Sequence, residues 1–135
     1  MNKKRLTLGA FAVYIFLFAF EWIYHGVFME SAYAQTGILW RPKSEMAAYL
    51  PFLFFGQLLF AFVFSYIFAK GHENKGIPEG FRYGLWIALL VNAGKLTMYA
   101  VAPYPASMMI SWVVANFLEL GLAGAVLAAL YKPKT

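Results

Sequence analysis

The sequence predicts an all-α, integral membrane four-helix bundle, and three observations carry that expectation. The 135 residues are 62% hydrophobic and 20% aromatic, with only 13% charged, where a soluble domain has about 25%. Mean hydropathy is +0.63. Four apolar runs each approach the roughly 20 residues that cross a bilayer core. The chain is read as one four-span domain over residues 1–135, with helices expected at about 6–29, 45–69, 79–101 and 106–131.

The first run opens on Lys3, Lys4 and Arg5 and stays uncharged from Leu6 to Phe20. A secretory leader also begins this way, and Ala32-Tyr33-Ala34 resembles a cleavage site. The apolar stretch continues to about Phe28, too long for a leader's apolar core, so the expectation is a retained first helix. Glu30–Ser44 forms the first connection. Within it Trp40-Arg41-Pro42 reads as an interfacial anchor: an indole at headgroup depth, a cation outside it and a helix-breaking proline. Ser44 is a candidate cap for the second helix, with Glu45 in its first turn.

Met46–Ala69 is free of charge, with Pro51 in its second turn. The polar stretch 70–78 follows, and in it His72 reads as a solvated loop residue. The third helix begins near Glu79, Pro103 and Pro105 mark the next turn, and the fourth helix ends near Tyr131. Eight basic residues flank one side of the expected spans (Lys3, Lys4, Arg5, Lys70, Lys75, Arg82, Lys132 and Lys134), and two, Arg41 and Lys43, flank the other. The positive-inside rule then places both termini and the 70–82 turn of this multi-pass chain in the cytoplasm. The net charge of +5 therefore reads as membrane flanking charge, and no nucleic-acid partner is expected.

Each span carries a stripe stepping by three or four residues. The stripes are Tyr14, Phe18, Glu21 and His25; Tyr49, Leu53, Gln57 and Ala61; Gly84, Ala88, Asn92, Lys95 and Tyr99; and Trp112, Asn116, Glu119 and Ala123. Turned inwards, they gather an intramembrane polar cluster of Glu21, His25, Gln57, Asn92, Lys95, Asn116 and Glu119. Ionisable groups at membrane depth are costly and are functional candidates by default. They also serve simply to lock helices into register. Glu21, His25 and Glu119 offer oxygen and nitrogen ligands, but the chain lacks the paired Glu-x-x-His motifs of di-iron bundles, so no metal site is expected. A lone His25 is a weak haem or pigment signal. Cysteine is absent, which excludes thiolate sites and disulfides. Gly121-x-x-Gly124 and Gly121-x-x-x-Ala125 permit close helix approach, within the chain or to another subunit. The phenylalanines of the second helix, at 52, 54, 55, 60, 62, 64 and 68, read as bulk facing lipid or a neighbouring subunit.

The combination of Glu21-x-x-x-His25-Gly26, Leu39-Trp40-Arg41-Pro42-x-x-Glu45-Met46 and Pro103-x-Pro105 ahead of Trp112 and Glu119 resembles small four-helix bacterial inner-membrane proteins of unknown function. The resemblance implies a four-span layout and no activity. No nucleophile–base pair or phosphate loop appears, so no enzyme and no cofactor is expected, with bound lipid the exception. The leading expectation is a non-catalytic accessory subunit of a larger membrane complex, in contact with lipid and with other membrane subunits or its own copies. The alternatives are a small oligomeric transporter or proton conductor lined by Glu21, Lys95 and Glu119, and a lipid- or quinone-binding protein.

Overall fold

The computed structural model describes residues 1–132. Among them there are helices and turns and no strand. Four long apolar helices dominate, as the four runs imply. The first, α1 (Lys3–Ile23), continues through one π-helical turn (Tyr24–Phe28), and the others are α3 (Lys43–Gly71), α4 (Ile77–Val101) and α5 (Ala106–Leu130). A six-residue helix, α2 (Glu30–Gln35), and a 3₁₀ turn (Gly37–Leu39) occupy what the sequence suggested was an open loop. The long helical stretches contain 25 to 29 residues. At about 1.5 Å per residue each exceeds the ~30 Å hydrocarbon core of a bilayer.

Helix ends follow local chemistry. Asn2 caps α1, its side chain accepting from the Arg5 N–H at 3.2 Å. Pro42, not Ser44, stands at the N-cap of α3 and makes no side-chain capping bond. Gly76, at φ +73°, sets the entry to α4, and Pro78 lies in its first turn, where a missing N–H costs nothing.

Neighbouring helices pack in the order α4–α5–α1–α3. Gly9 of α1 lies against Leu127 of α5, and Tyr24 meets Ser111 at the other end of the same pair, so α1 and α5 run antiparallel. The main core is built from Leu6, Val13 and Leu17 of α1, Ala61, Phe64 and Phe68 of α3, Ala88 of α4, and Leu120, Ala123 and Leu127 of α5. The start of α1 and the end of α5 lie at one end of the molecule, the terminal end, opposite the α2 end. Lys134 lies outside the described residues.

The α4–α5 contact is the closest. A Cβ added to Gly80 would stand 2.1 Å from the Gly124 carbonyl oxygen, and one added to Gly84 would stand 1.9 Å from that of Leu120. Gly121 and Gly124 therefore serve packing inside the chain, and their partners are Gly80 and Gly84, a small-x-x-x-small spacing on α4.

α3 closes the bundle at the terminal end only. There the Tyr83 hydroxyl of α4 donates to the Phe64 carbonyl at 2.5 Å, and the Tyr83 ring packs on Phe64 and Phe68. Phe64 and Phe68 are core residues, a correction to their reading as outward bulk. Towards the α2 end every residue from 41 to 56 is exposed. Tyr49 and Leu53 are 42% and 50% exposed, so the inward stripe expected for this helix begins only near Gln57. The physical reason is that α3 diverges, with Phe54 against Phe18 as a remaining ring contact to α1.

The α3–α4 turn is closed by Glu79. Its carboxylate accepts the Glu73 N–H at 2.6 Å and the Lys75 N–H at 2.7 Å. His72 Nδ1 lies 3.3 Å from Glu79 Oε1, close enough for charge attraction but off the line of a hydrogen bond. The His72 side chain is only 6% exposed, wedged between Phe68 and Tyr131. It is a packed residue and not a solvated one, because the turn folds it back under the helix ends.

Candidate functional site

The polar residues gather between α1, α4 and α5, in the half of the molecule nearer the α2 end. The π turn gives α1 one extra residue in its last turn: the Met29 N–H bonds to the Tyr24 carbonyl at 2.9 Å, five residues back. Such turns recur at functional sites. Just before it, Glu21 projects from regular helix, and His25 one turn later places Nε2 2.8 Å from Glu21 Oε2. The chain then reverses into α2, which returns the Tyr33 hydroxyl onto His25 Nδ1. Trp112 of α5 donates its indole N–H to the same hydroxyl at 2.9 Å. Tyr24 and Ser111 exchange a 2.6 Å hydrogen bond beside this row.

Deeper in, Glu119 of α5 is 4% exposed. Its carboxyl stands beside that of Glu21 and the Asn116 side chain, close enough for each to act on the other. Lys95 of α4 is half-buried, within electrostatic reach of both carboxyls but without a direct ion pair to either among the described residues. Asn92 donates to the Val113 carbonyl at 3.4 Å. The side-chain oxygens of Asn92 and Asn116 are shielded and have no hydrogen-bond partner, unusual for buried polar atoms.

Of the sequence-derived set, Glu21, His25 and Glu119 form one connected group, with Lys95 in their field and Asn116 at its edge. Asn92 is buried on the facing side of α4. Gln57 sits on α3, half-buried, and its Oε1 is shielded without a hydrogen-bond partner. Trp40 and Arg41 lie at the α2 end. Trp40 donates to Thr36 at 2.8 Å and packs edge-on to Tyr33 and Trp112. The Arg41 guanidinium lies 3.6 Å from the Tyr49 ring centroid, while Glu30 faces Lys43 at 3.8 Å.

Tyr24, Tyr33 and Ser111 are members of the site that the sequence reading did not single out. Burial pushes the Tyr33 phenol up to about 12, so it takes part as a neutral hydroxyl. In the tautomer where that hydroxyl accepts from Trp112 N–H and donates to His25 Nδ1, the ring proton sits on Nε2 and is donated to Glu21. A cleft of about 240 Å³ opens next to it, lined by Thr36, Ser107 and Ser111 among others. Among the described residues no grouping of three or more His, Cys, Asp or Glu side chains is placed to hold a metal ion.

Comparison of the chain with protein-family models, curated proteins and solved structures finds no match. What its geometry defines is a small protein with four helices long and apolar enough to span a membrane and a polar group set between three of them.

Proposed function

We propose that the chain is a non-catalytic accessory subunit of a larger membrane assembly, multi-pass in a bacterial inner membrane, with both termini cytoplasmic. The observation that carries this is the half of α3 with no buried face. Residues 43–56 are exposed on every side of the helix, whereas a helix in a bundle ordinarily buries one stripe. At the base of that divergence the buried Gln57 Oε1 lacks a partner. Lipid tails offer no donor to it; a polar side chain on a neighbouring helix does. The occupant we propose is a transmembrane helix of an unlike subunit, inserted beside α3 with a hydrogen-bond donor at the depth of Gln57.

The test is extraction in mild detergent followed by native mass measurement. Unlike chains in fixed ratio are expected, and a photo-crosslinker at Phe55 should capture one of them. A monomer, or copies of this chain alone, would refute the reading. The orientation has its own check. Cysteines introduced at Asn74 and Thr36 are expected to label from opposite sides of the membrane, with Asn74 on the cytoplasmic side. Labelling of both from one side would overturn the four-span arrangement.

A second reading, a small transporter or proton conductor with Glu21, Lys95 and Glu119 on its path, draws support from the hydrogen-bonded row at the α2 end. It asks for a continuation to the other end, where the core around Val13, Leu120, Ala123 and Leu127 is apolar.

A further inference from the structure

We propose that the Glu21–Glu119 carboxyl pair is a proton-binding site that exchanges with the α2 side through His25 and Tyr33, and that it is closed towards the terminal end. This goes beyond the subunit reading and does not depend on it.

Charge balance is the first argument. The titratable and charged groups facing the pair are Glu21 itself, Tyr24 and His25 from α1 and its π turn, Tyr33 from α2, Lys95 from α4 and Glu119 from α5. None of the described contacts brings a charged group of α3 to them. Two carboxylates beside one ammonium leave one negative charge uncompensated at low dielectric, an expensive arrangement. One proton held between the carboxyls makes the set neutral. It also supplies the donor that a carboxyl–carboxyl hydrogen bond needs, because two carboxylates have only acceptors.

Connectivity is the second argument. Glu21, His25 and Tyr33 form a contacting row that reaches the loop, and the buried Glu119 carboxyl stands beside its inner end. Uptake is balanced as follows. A proton arriving at Nδ1, as the Tyr33 hydrogen swings away, makes the imidazolium. Its Nε2 proton passes to Glu21 and is held between Glu21 and Glu119, leaving the imidazole as its Nδ1–H tautomer, which donates to the Tyr33 oxygen while Nε2 becomes an acceptor. One proton enters and one is stored, and release is the reverse. Below Glu119 the next buried residues of α5 are Leu120, Ala123 and Leu127, which hold no proton, and the Ser65 hydroxyl of α3, buried on that side, has no hydrogen-bond partner to continue a path.

The chain contains no aspartate, so its side-chain carboxyls are Glu21, Glu30, Glu45, Glu73, Glu79 and Glu119. Glu30, Glu45 and Glu73 are exposed, and Glu79 is held by backbone N–H groups. A carboxylic-acid carbonyl band in the infrared spectrum at neutral pH is therefore assignable. Purified protein in lipid vesicles is expected to show that band, to move it on carbon-13 labelling of glutamate, and to shift it in heavy water. The double variant Glu21→Gln, Glu119→Gln should lose it. In His25→Phe the hydrogen–deuterium exchange of the band should slow tenfold or more, in line with the contribution of a positioned proton relay. Absence of the band in the wild type, or insensitivity to glutamate labelling, overturns the site without needing any variant. Unchanged exchange in His25→Phe overturns the route. Steady proton flux through the vesicles under a pH gradient, above that of empty vesicles, overturns the closed end.

Discussion

Gly84→Ala is expected to destabilise the fold by about 3 kcal/mol or more, at the upper end of what overpacking costs. The added methyl would stand 1.9 Å from the Leu120 oxygen, 2.6 Å from its carbonyl carbon and 2.9 Å from Gly121 Cα. All three are backbone atoms, so no rotamer change relieves the contact and the two helices must move apart. Separation would also open the contact at Gly80, which lies on the same face one turn away. Gly94 lies on the same helix with nothing within 4 Å of its added Cβ. Gly94→Ala should therefore be neutral or stabilising by up to about 1 kcal/mol, the helix-propensity difference. Reversible unfolding in mixed micelles reads both. A Gly84→Ala variant within 1 kcal/mol of wild type, on the scale of that propensity term, would mean that α4 and α5 do not cross at this point.

The second large effect is expected at Glu79. Removing its carboxylate leaves the Glu73 and Lys75 N–H groups without their acceptor and takes away the carboxylate oxygen 3.3 Å from the wedged His72. Hydrogen bonds to a charged group contribute about 1.5–3 kcal/mol each, and stranded buried donors cost about 1–3 kcal/mol. Part of that is regained by water at the turn, so Glu79→Ala should cost about 2–4 kcal/mol. Glu79→Gln should cost less, because the amide oxygen still accepts one N–H. The same unfolding assay measures it, and proteolysis of the 72–76 segment should accelerate in parallel. Wild-type stability in Glu79→Ala would show that the turn is held by Phe68, Tyr83 and Tyr131 without the carboxylate.

The four long helices were legible because a span is a matter of length and apolarity, which a sequence states directly. Glu21, Lys95 and Glu119 stood out for the same reason, as charges where none are cheap. What escaped depends on the path of the backbone between spans. Tyr33 joins His25 only because Glu30–Gln35 coils into a helix that doubles back, and nothing in Glu-Ser-Ala-Tyr-Ala-Gln announces the reversal. His72 and Glu79 meet through a turn in which Asn74 and Gly76 take positive φ, a conformation that spacing does not reveal. Gly80-x-x-x-Gly84 was readable as a small-residue motif. The divergence of α3 had no signal at all, since an apolar residue facing lipid and one facing a helix look alike.

The packing order α4–α5–α1–α3 has a consequence for how the chain is made. α4 and α5 are adjacent in sequence, joined by the short Pro103–Pro105 turn, and can close on each other as a hairpin as soon as both have been made. α1 emerges first and has α3 as the next long helix to pack on, but its other neighbour, α5, emerges last. Until then Glu21 has no Glu119 to meet. The π turn and His25 travel with it from the start, so its earliest companion is local. Docking of α5 onto α1 is therefore the late step, and it is the one that brings Glu119 to Glu21.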